Sequence, residues 1–389
     1  AEPSWRARLS SALAKPDPSP SYALDDMTTT NAVTDTPALF QPMTIRGVTL
    51  RNRVVVSPMC QYSCEARDGR ATDWHLVHLG GFAKGGVGLV IVEATGVAAV
   101  GRISPEDVGL WEDAQTEPLA RAVRFMHSQG ALAGIQLAHA GRKASTAAPW
   151  KGHGLVLPAD GGWQPVSPTA TPFSPEYSVP HRLTTAEVAS IPDAFAASAR
   201  RANQAGFDVV EIHGAHGYLH HSFLSPISND RDDIYGGDFA GRTRLLLETV
   251  EAIRGVWPSE KPLFVRLSST DWIEDGWDGD DTVSLARELG AHGVDVVDCS
   301  SGGVAPQQQV KPGPGYQVPF ASRVRHESGT ASMAVGLITT ASQANAVIAD
   351  GHADLVALGR ELLRDPHFVL RAARELGGPS FAPSQYLRA

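Results

Sequence analysis

Asp208-Val-Val-Glu-Ile212 runs straight into His213-Gly-Ala-His216-Gly-Tyr218-Leu219, and this junction decides how the chain is read. The first part has the β-branched, continuously apolar composition of a strand buried on both faces. The second places two imidazoles and a phenol at the point where that strand empties into a loop, with Gly214 and Gly217 supplying turn freedom. Two readings follow. Either these groups grip a substrate oxygen and protonate its carbon, or they are packed loop histidines or half of a metal site.

Working outward, seven further apolar runs share this form: Val54–Val56, Leu89–Val92, Leu132–Leu137, Leu263–Leu267, Val294–Val297, Ala334–Ile338 and Leu355–Leu358. Helix-like stretches lie between them, with Thr184-Thr-Ala-Glu187 as a capping box and Gly206, Gly290, Gly351 and Gly377 as stops. Eight such strands alternating with helices predict an α/β fold, a single (β/α)8 TIM barrel over residues 37–389. Leu39-Phe40 and Thr44–Leu50 read as a short hairpin forming a lid over one barrel end, with Gly47 near its turn. The connection after the third strand, 138–183, is rich in Pro and Gly and too long for a plain βα loop, so it is expected to cap the open face. Residues 1–36 lack an apolar period and read as a weakly structured extension in which Met27 is a candidate start; 380–389 form a tail.

A formal charge of −9 without a dense Lys/Arg cluster argues against nucleic acid or an anionic membrane as partner. Three cysteines, Cys60, Cys64 and Cys299, are too few for a disulfide scaffold and fit a reducing cytoplasm. The sequence has no apolar run approaching the ~20 residues that span a bilayer.

Barrel chemistry sits at the carboxyl ends of the strands. Ser57-Pro-Met-Cys60-Gln-Tyr62 follows the first run, Glu93-Ala94 the second, and Gln136 and His139 end the third. Arg266 and Ser268 close the fifth, Ser300-Ser-Gly-Gly303 follows the sixth, Gly336 lies in the seventh, and Gly359-Arg360 follows the eighth. Gly336, Gly359, Arg360 and the Ser300 turn offer backbone N–H groups and a cation for a phosphate. Arg266, embedded in an apolar run, must face the barrel mouth, where it would stabilise an anionic reduced flavin, or be consumed in an internal ion pair with Glu211.

Together with Gln136-Leu-Ala-His139-Ala-Gly-Arg142-Lys143, Ser225-Pro226, Asn229, Arg231, Tyr235-Gly-Gly237 and Gly359-Arg-Glu-Leu-Leu363, these motifs resemble the old yellow enzyme family of FMN-dependent ene-reductases, from about Leu39 to the carboxyl terminus. Cys60 and the His-x-x-His pair resemble its thermophilic-like branch. The resemblance implies FMN, with NADPH or NADH as reductant and an electron-poor alkene as small-molecule substrate, in ping-pong turnover. It implies Ser57, Pro58, Met59 and Cys60 beside the isoalloxazine and Ala94 and Gln136 at its polar edge. Arg266 would lie near N1, and Ser300, Gly336, Gly359 and Arg360 at the ribityl phosphate. His213 and His216 would hold the substrate oxygen, Tyr218 would protonate carbon, Cys60 would modulate rather than attack, and Tyr62 would face the substrate. Arg388 in the tail would reach a neighbouring active site in a homodimer or homotetramer.

Three rivals remain. A metal-dependent hydrolase on the same barrel would use His213 and His216, but the first run lacks a His-x-His pair. The barrel half of a dienoyl-reductase-like protein needs a cysteine cluster that this sequence lacks. A flavin-binding protein without turnover would not need Tyr218.

Overall fold

The computed structural model describes residues 36–152 and 154–388; the amino-terminal extension expected over 1–36 falls outside them except for Thr36. Eight parallel strands close into a barrel in which neighbours in sequence are neighbours in space: Val54–Val56, Leu89–Gly96, Leu132–Ala138, Val209–Gly214, Leu263–Ser268, Val296–Ser300, Ala331–Ala334 and Leu355–Leu358. Closure removes every free sheet edge, and the βα alternation places the helices outside.

Strand side chains alternate between two cores. Val54, Val56, Val90, Val92, Ile135, Val210 and Val265 face outward and pack against the helices. Val55, Leu89, Ile91, Val209, Phe264, Val296, Met333 and Leu355 face inward and fill the lower barrel. Two residues further along, six of the inward rows change from hydrocarbon to chemistry: Val55 gives way to Ser57, Ile91 to Glu93, Val209 to Glu211, Phe264 to Arg266, Val296 to Asp298 and Ala357 to Gly359. The period of two therefore stacks a polar layer on an apolar plug.

The hairpin forms from Met43–Ile45 and Val48–Leu50 alone; Leu39 and Phe40 lie instead in the 3-10 turn Ala38–Phe40, where both side chains are buried in the outer core. Its Ile45 and Leu50 join the inward apolar cluster, so the hairpin closes the amino end of the barrel, opposite the polar layer. At ~1.5–3 kcal/mol for each fully buried aliphatic side chain, this floor is a substantial part of the fold's stability.

The seventh strand departs from expectation. Pairing runs over Ala331–Ala334 rather than Ala334–Ile338, because Gly336 (φ 124°) and Leu337 (φ 53°) leave extended geometry. Gly336 thus follows the strand instead of lying in it. Gly290 also differs: the helix Gly279–Ala291 continues past it, and Gly293 takes the left-handed conformation. A Cβ at Gly290 would lie 2.7 Å from Thr330 Oγ1, so close packing explains that glycine. The Thr184/Glu187 capping box starts Thr185–Ala205 and Gly206 ends it at φ 92°. The 138–183 connection contains short 3-10 turns and a two-stranded pairing of Val166–Ser167 with His181–Arg182. Ala140, Ala144 and Trp163 pack with Ala94, Cys60 and Tyr218. Among the described residues no helix is long and apolar enough to cross a membrane.

Candidate active site

The fourth strand delivers His213 to the barrel mouth, and the chain then turns through His216 (φ 60°) and Gly217 (φ 72°). Glycine is required at 217, since a Cβ there would sit 2.1 Å from Gly303 O. Each amide donor of the turn is satisfied: Ala215 N–H donates to His213 Nδ1 (3.2 Å), His216 N–H to Ser268 Oγ (2.9 Å), Gly217 N–H to His221 Nδ1 (2.8 Å) and Tyr218 N–H to Ala215 O (3.2 Å). Lys143 Nζ donates to the carbonyls of His216 (2.9 Å) and Gly303 (3.1 Å) and lies 5.2 Å from the Tyr218 ring centre. A hinge of left-handed residues is in this way made rigid.

The three side chains meet edge to face. His213 lies 5.1 Å from His216 and 4.8 Å from Tyr218 between ring centres. Because His213 Nδ1 accepts a backbone donor, its neutral-state proton belongs on Nε2. His213 Nε2 is 3.4 Å from His216 Nδ1, and His216 Nε2 is 2.6 Å from Ser300 Oγ. Burial, then the Arg266 cation, holds both imidazoles well below the ordinary histidine range, so both are neutral at pH 7. Burial pushes the Tyr218 phenol well above its usual value, with Cys60 and Asp107 adding to the effect. It stays protonated.

Opposite this turn, the Ser57–Tyr62 loop is pinned by Gln61 N–H donating to Glu93 Oε2 at 3.1 Å. Tyr62 adopts φ 49° and packs in the same apolar cluster as Cys60 and Tyr218. Burial and the nearby Asp107 and Glu93 carboxylates raise the Cys60 thiol well above its ordinary value, which suppresses nucleophilic behaviour.

Below lies the polar layer. Arg266 pairs with Asp298 (Nε to Oδ2, 3.0 Å), its register neighbour on the sixth strand, and not with Glu211. Arg266 Nη1 also reaches Ser57 Oγ at 3.2 Å. Gln136 Nε2 donates to Glu211 Oε1 at 2.8 Å. Burial, then the Asp298 charge, raises Glu211, and burial raises Asp298. One guanidinium facing two buried carboxyls thus keeps the layer near neutrality by retaining a proton.

Two cavities open above this layer. One, of about 270 Å³, is lined by Ser57 to Cys60, Ala94, Gln136, His213 and Tyr218. The other, of about 300 Å³, is lined by Ser300, Gln317, Gly336 and Leu337. His216, Arg266, Gly359 and Arg360 line both, so the cavities form one elongated trough. Arg266 lines both cavities while its Nε side is held against Asp298, and Arg360 is exposed with no ion pair among the described residues. A flat heteroaromatic ring bearing a phosphate tail fits these two compartments: carbonyl and nitrogen acceptors meet Gln136 and Arg266, and the anion meets Arg360 and the glycines.

The sequence profile of the NADH:flavin oxidoreductase / NADH oxidase family matches residues 38–377. The chain belongs to that family. It is 47% identical over 350 residues to an NADPH dehydrogenase of Geobacillus sp. (strain WCH70), covering 90% of this chain and 98% of that one. Among solved structures, morphinone reductase aligns at TM-score 0.74 and 27% identity over 89% of this chain and 91% of its own, and another morphinone reductase structure contains tetrahydroNAD. 2-Naphthoyl-CoA reductase aligns at TM-score 0.78 and 25% identity over 88% of this chain, which spans about half of that larger protein.

As a member of this family, the protein is an NAD(P)H-dependent flavin oxidoreductase with FMN as its cofactor. Twelve of the predicted residues line the first cavity, and Ser300 and Gly336 line the second. Ser300 also contacts His216, which sequence reading did not assign. Tyr62 packs in the same apolar cluster as Cys60, and Arg388 is exposed in the tail; neither lines these two cavities. Sequence reading gave no role to Lys143, His221 or Asp271. Lys143 stood inside a quoted motif, but only the fold brings it to the carbonyls of His216 and Gly303. Among the described residues no group of three or more His, Cys, Asp or Glu is placed to hold a metal ion.

Proposed function

We propose that this flavoenzyme reduces the C=C bond of electron-poor alkenes, such as enones, enals, maleimides and nitroalkenes, in ping-pong alternation with NADPH or NADH. The observation that carries this reading is the pair of neutral imidazoles set edge-on beside a protonated phenol at one wall of the trough. In the tautomer in which Ser300 Oγ–H donates to His216 Nε2, His213 Nε2–H and His216 Nδ1–H converge. Their 3.4 Å separation is long for a mutual hydrogen bond and suits two donors sharing one acceptor. A carbonyl or nitro oxygen placed there loses electron density to both donors, and the β-carbon becomes electrophilic.

When bound, FMN supplies the hydride for that carbon. Tyr218 then delivers its proton to the α-carbon; the phenol is a weak acid, but the developing enolate is the stronger base. Arg266 favours negative charge at the pyrimidine edge of the trough. Ser57, Pro58, Met59 and Ala94 shape the ring compartment, while Gly336, Gly359 and Arg360 hold the phosphate. Cys60 tunes the site as a neutral thiol beside Tyr62. Arg388 completes the substrate wall of a neighbouring subunit in a homodimer or homotetramer.

Anaerobic mixing tests this. NADPH bleaches the flavin of both wild type and Tyr218→Phe, whereas 2-cyclohexenone reoxidises the variant at least tenfold more slowly. Failure of the enone to reoxidise wild type refutes alkene reduction, and undiminished turnover by the variant removes Tyr218 as proton donor.

A further inference from the structure

Beneath the His216–Tyr218 turn lies a second polar relay that touches neither cavity. His221 and Asp271 are both fully buried, with His221 Nε2 2.9 Å from Asp271 Oδ1. The other oxygen, Asp271 Oδ2, accepts from Ser225 Oγ (2.6 Å) and Trp277 N–H (2.8 Å). The far ring nitrogen, His221 Nδ1, accepts the Gly217 amide at 2.8 Å. Ser222, the next residue, donates its hydroxyl to the carbonyls of Gly217 and Tyr218, each at 3.0 Å. The short helix Leu219–Leu224 therefore grips Gly217, the residue before the phenol, at both its own N–H and its own C=O.

We propose that Asp271 and His221 form a tautomer relay that positions Tyr218 for proton transfer. A carboxylate can only accept, so Asp271 requires the proton on His221 Nε2, and this leaves the Nδ1 lone pair for Gly217. No other tautomer or charge state satisfies both contacts. Gly217 lies in the left-handed region and against Gly303 O, so a displaced amide cannot relax by a small rotation, and the phenol one residue later moves with it. His221 and Asp271 are positioning residues: neither reaches the trough.

This inference rests on Tyr218 being the proton donor, and Asp271→Asn tests the relay separately. The amide retains its two bonds to Ser225 and Trp277 only by placing oxygen at the Oδ2 position, which points its NH2 at His221 Nε2. That inverts the imidazole to the Nδ1–H tautomer and sets two donors face to face at Gly217. At a penalty of the order of one lost buried hydrogen bond, the oxidative half-reaction with 2-cyclohexenone slows about tenfold more than the reductive half-reaction with NADPH, and its solvent deuterium isotope effect rises. Equal slowing of both half-reactions, or none, overturns the relay. Nitrogen-15 NMR of histidine-labelled wild-type holoenzyme needs no variant: an Nε2–H tautomer for His221 is expected, and an Nδ1–H or doubly protonated ring overturns the relay. Under Tyr218→Phe the oxidative defect of Asp271→Asn should vanish. If Tyr218→Phe itself is fully active, the proton-donor reading fails, whereas a slow Tyr218→Phe beside an unaffected Asp271→Asn sinks only the relay.

Discussion

Lys143→Met separates two opposed contributions of one buried cation. Burial, then the Arg142 charge, lowers the Lys143 ammonium from 10.5 to about 8. At ~1.4 kcal/mol per unit, keeping it charged in the fold costs about 3 kcal/mol. Against this stand its bonds to the His216 and Gly303 carbonyls, whose loss leaves two buried acceptors at ~1–3 kcal/mol each. Near pH 7 these offset, and the variant should lie within about 2 kcal/mol of wild type. The sign then follows from proton counting. Between pH 8 and 10.5 the unfolded chain retains a proton on Lys143 that the folded protein has released, so folding gains stability as pH rises. Methionine has no such gain. Urea denaturation of the flavin-loaded proteins, followed by tryptophan fluorescence at pH 7 to 10, should show wild type gaining about 2–3 kcal/mol on the variant. Parallel stability curves across that range would refute the reasoning.

Three further outcomes are expected. Gly217→Ala forces a methyl against Gly303 O at a positive φ, so it should cost at least ~3 kcal/mol, read from the urea midpoint, and weaken binding of phenolic ligands. Glu211→Gln mimics the proton that burial and Asp298 retain on this carboxyl. From about pH 5 upward the unfolded glutamate is ionised while the folded one is not, so wild type loses stability with pH and the variant should overtake it in paired melts at pH 5 and 8. Cys60, held as a thiol, should react with iodoacetamide far more slowly than a free cysteine at pH 8, as mass spectrometry of the modified peptide can follow.

The barrel was legible because strands buried on both faces read as continuous apolar runs, and these alternate with capped helical stretches along the sequence. Where backbone geometry rather than apolarity ends a strand, the reading slipped. Ala334–Ile338 is the more apolar run, yet pairing stops where Gly336 and Leu337 leave extended geometry, and the true strand hides in the small residues Ala331 to Ala334. The partner of Arg266 was similarly hidden. Glu211 and Asp298 lie on strands flanking it, and only the register places Asp298 directly opposite. His221 and Asp271 are 50 residues apart in sequence, and nothing in Leu219–Leu224 marks its second histidine as facing the turn.

The wall formed by residues 138–183 also bears on how the chain reaches its final state. Arg142 Nη2 bonds to Val304 O at 2.6 Å, a partner 162 residues later, and Arg231 Nη1 holds Pro168 O at 3.4 Å. The segment has little apolar core of its own, so it is left waiting while synthesis and folding proceed through the sixth strand. Loop-closure entropy makes such distant latches late to form. The barrel floor should mature first and the substrate pocket last. In native-state hydrogen exchange, amides of 144–180 should open at lower free energy than those of the barrel strands, releasing the pocket wall without unfolding the barrel.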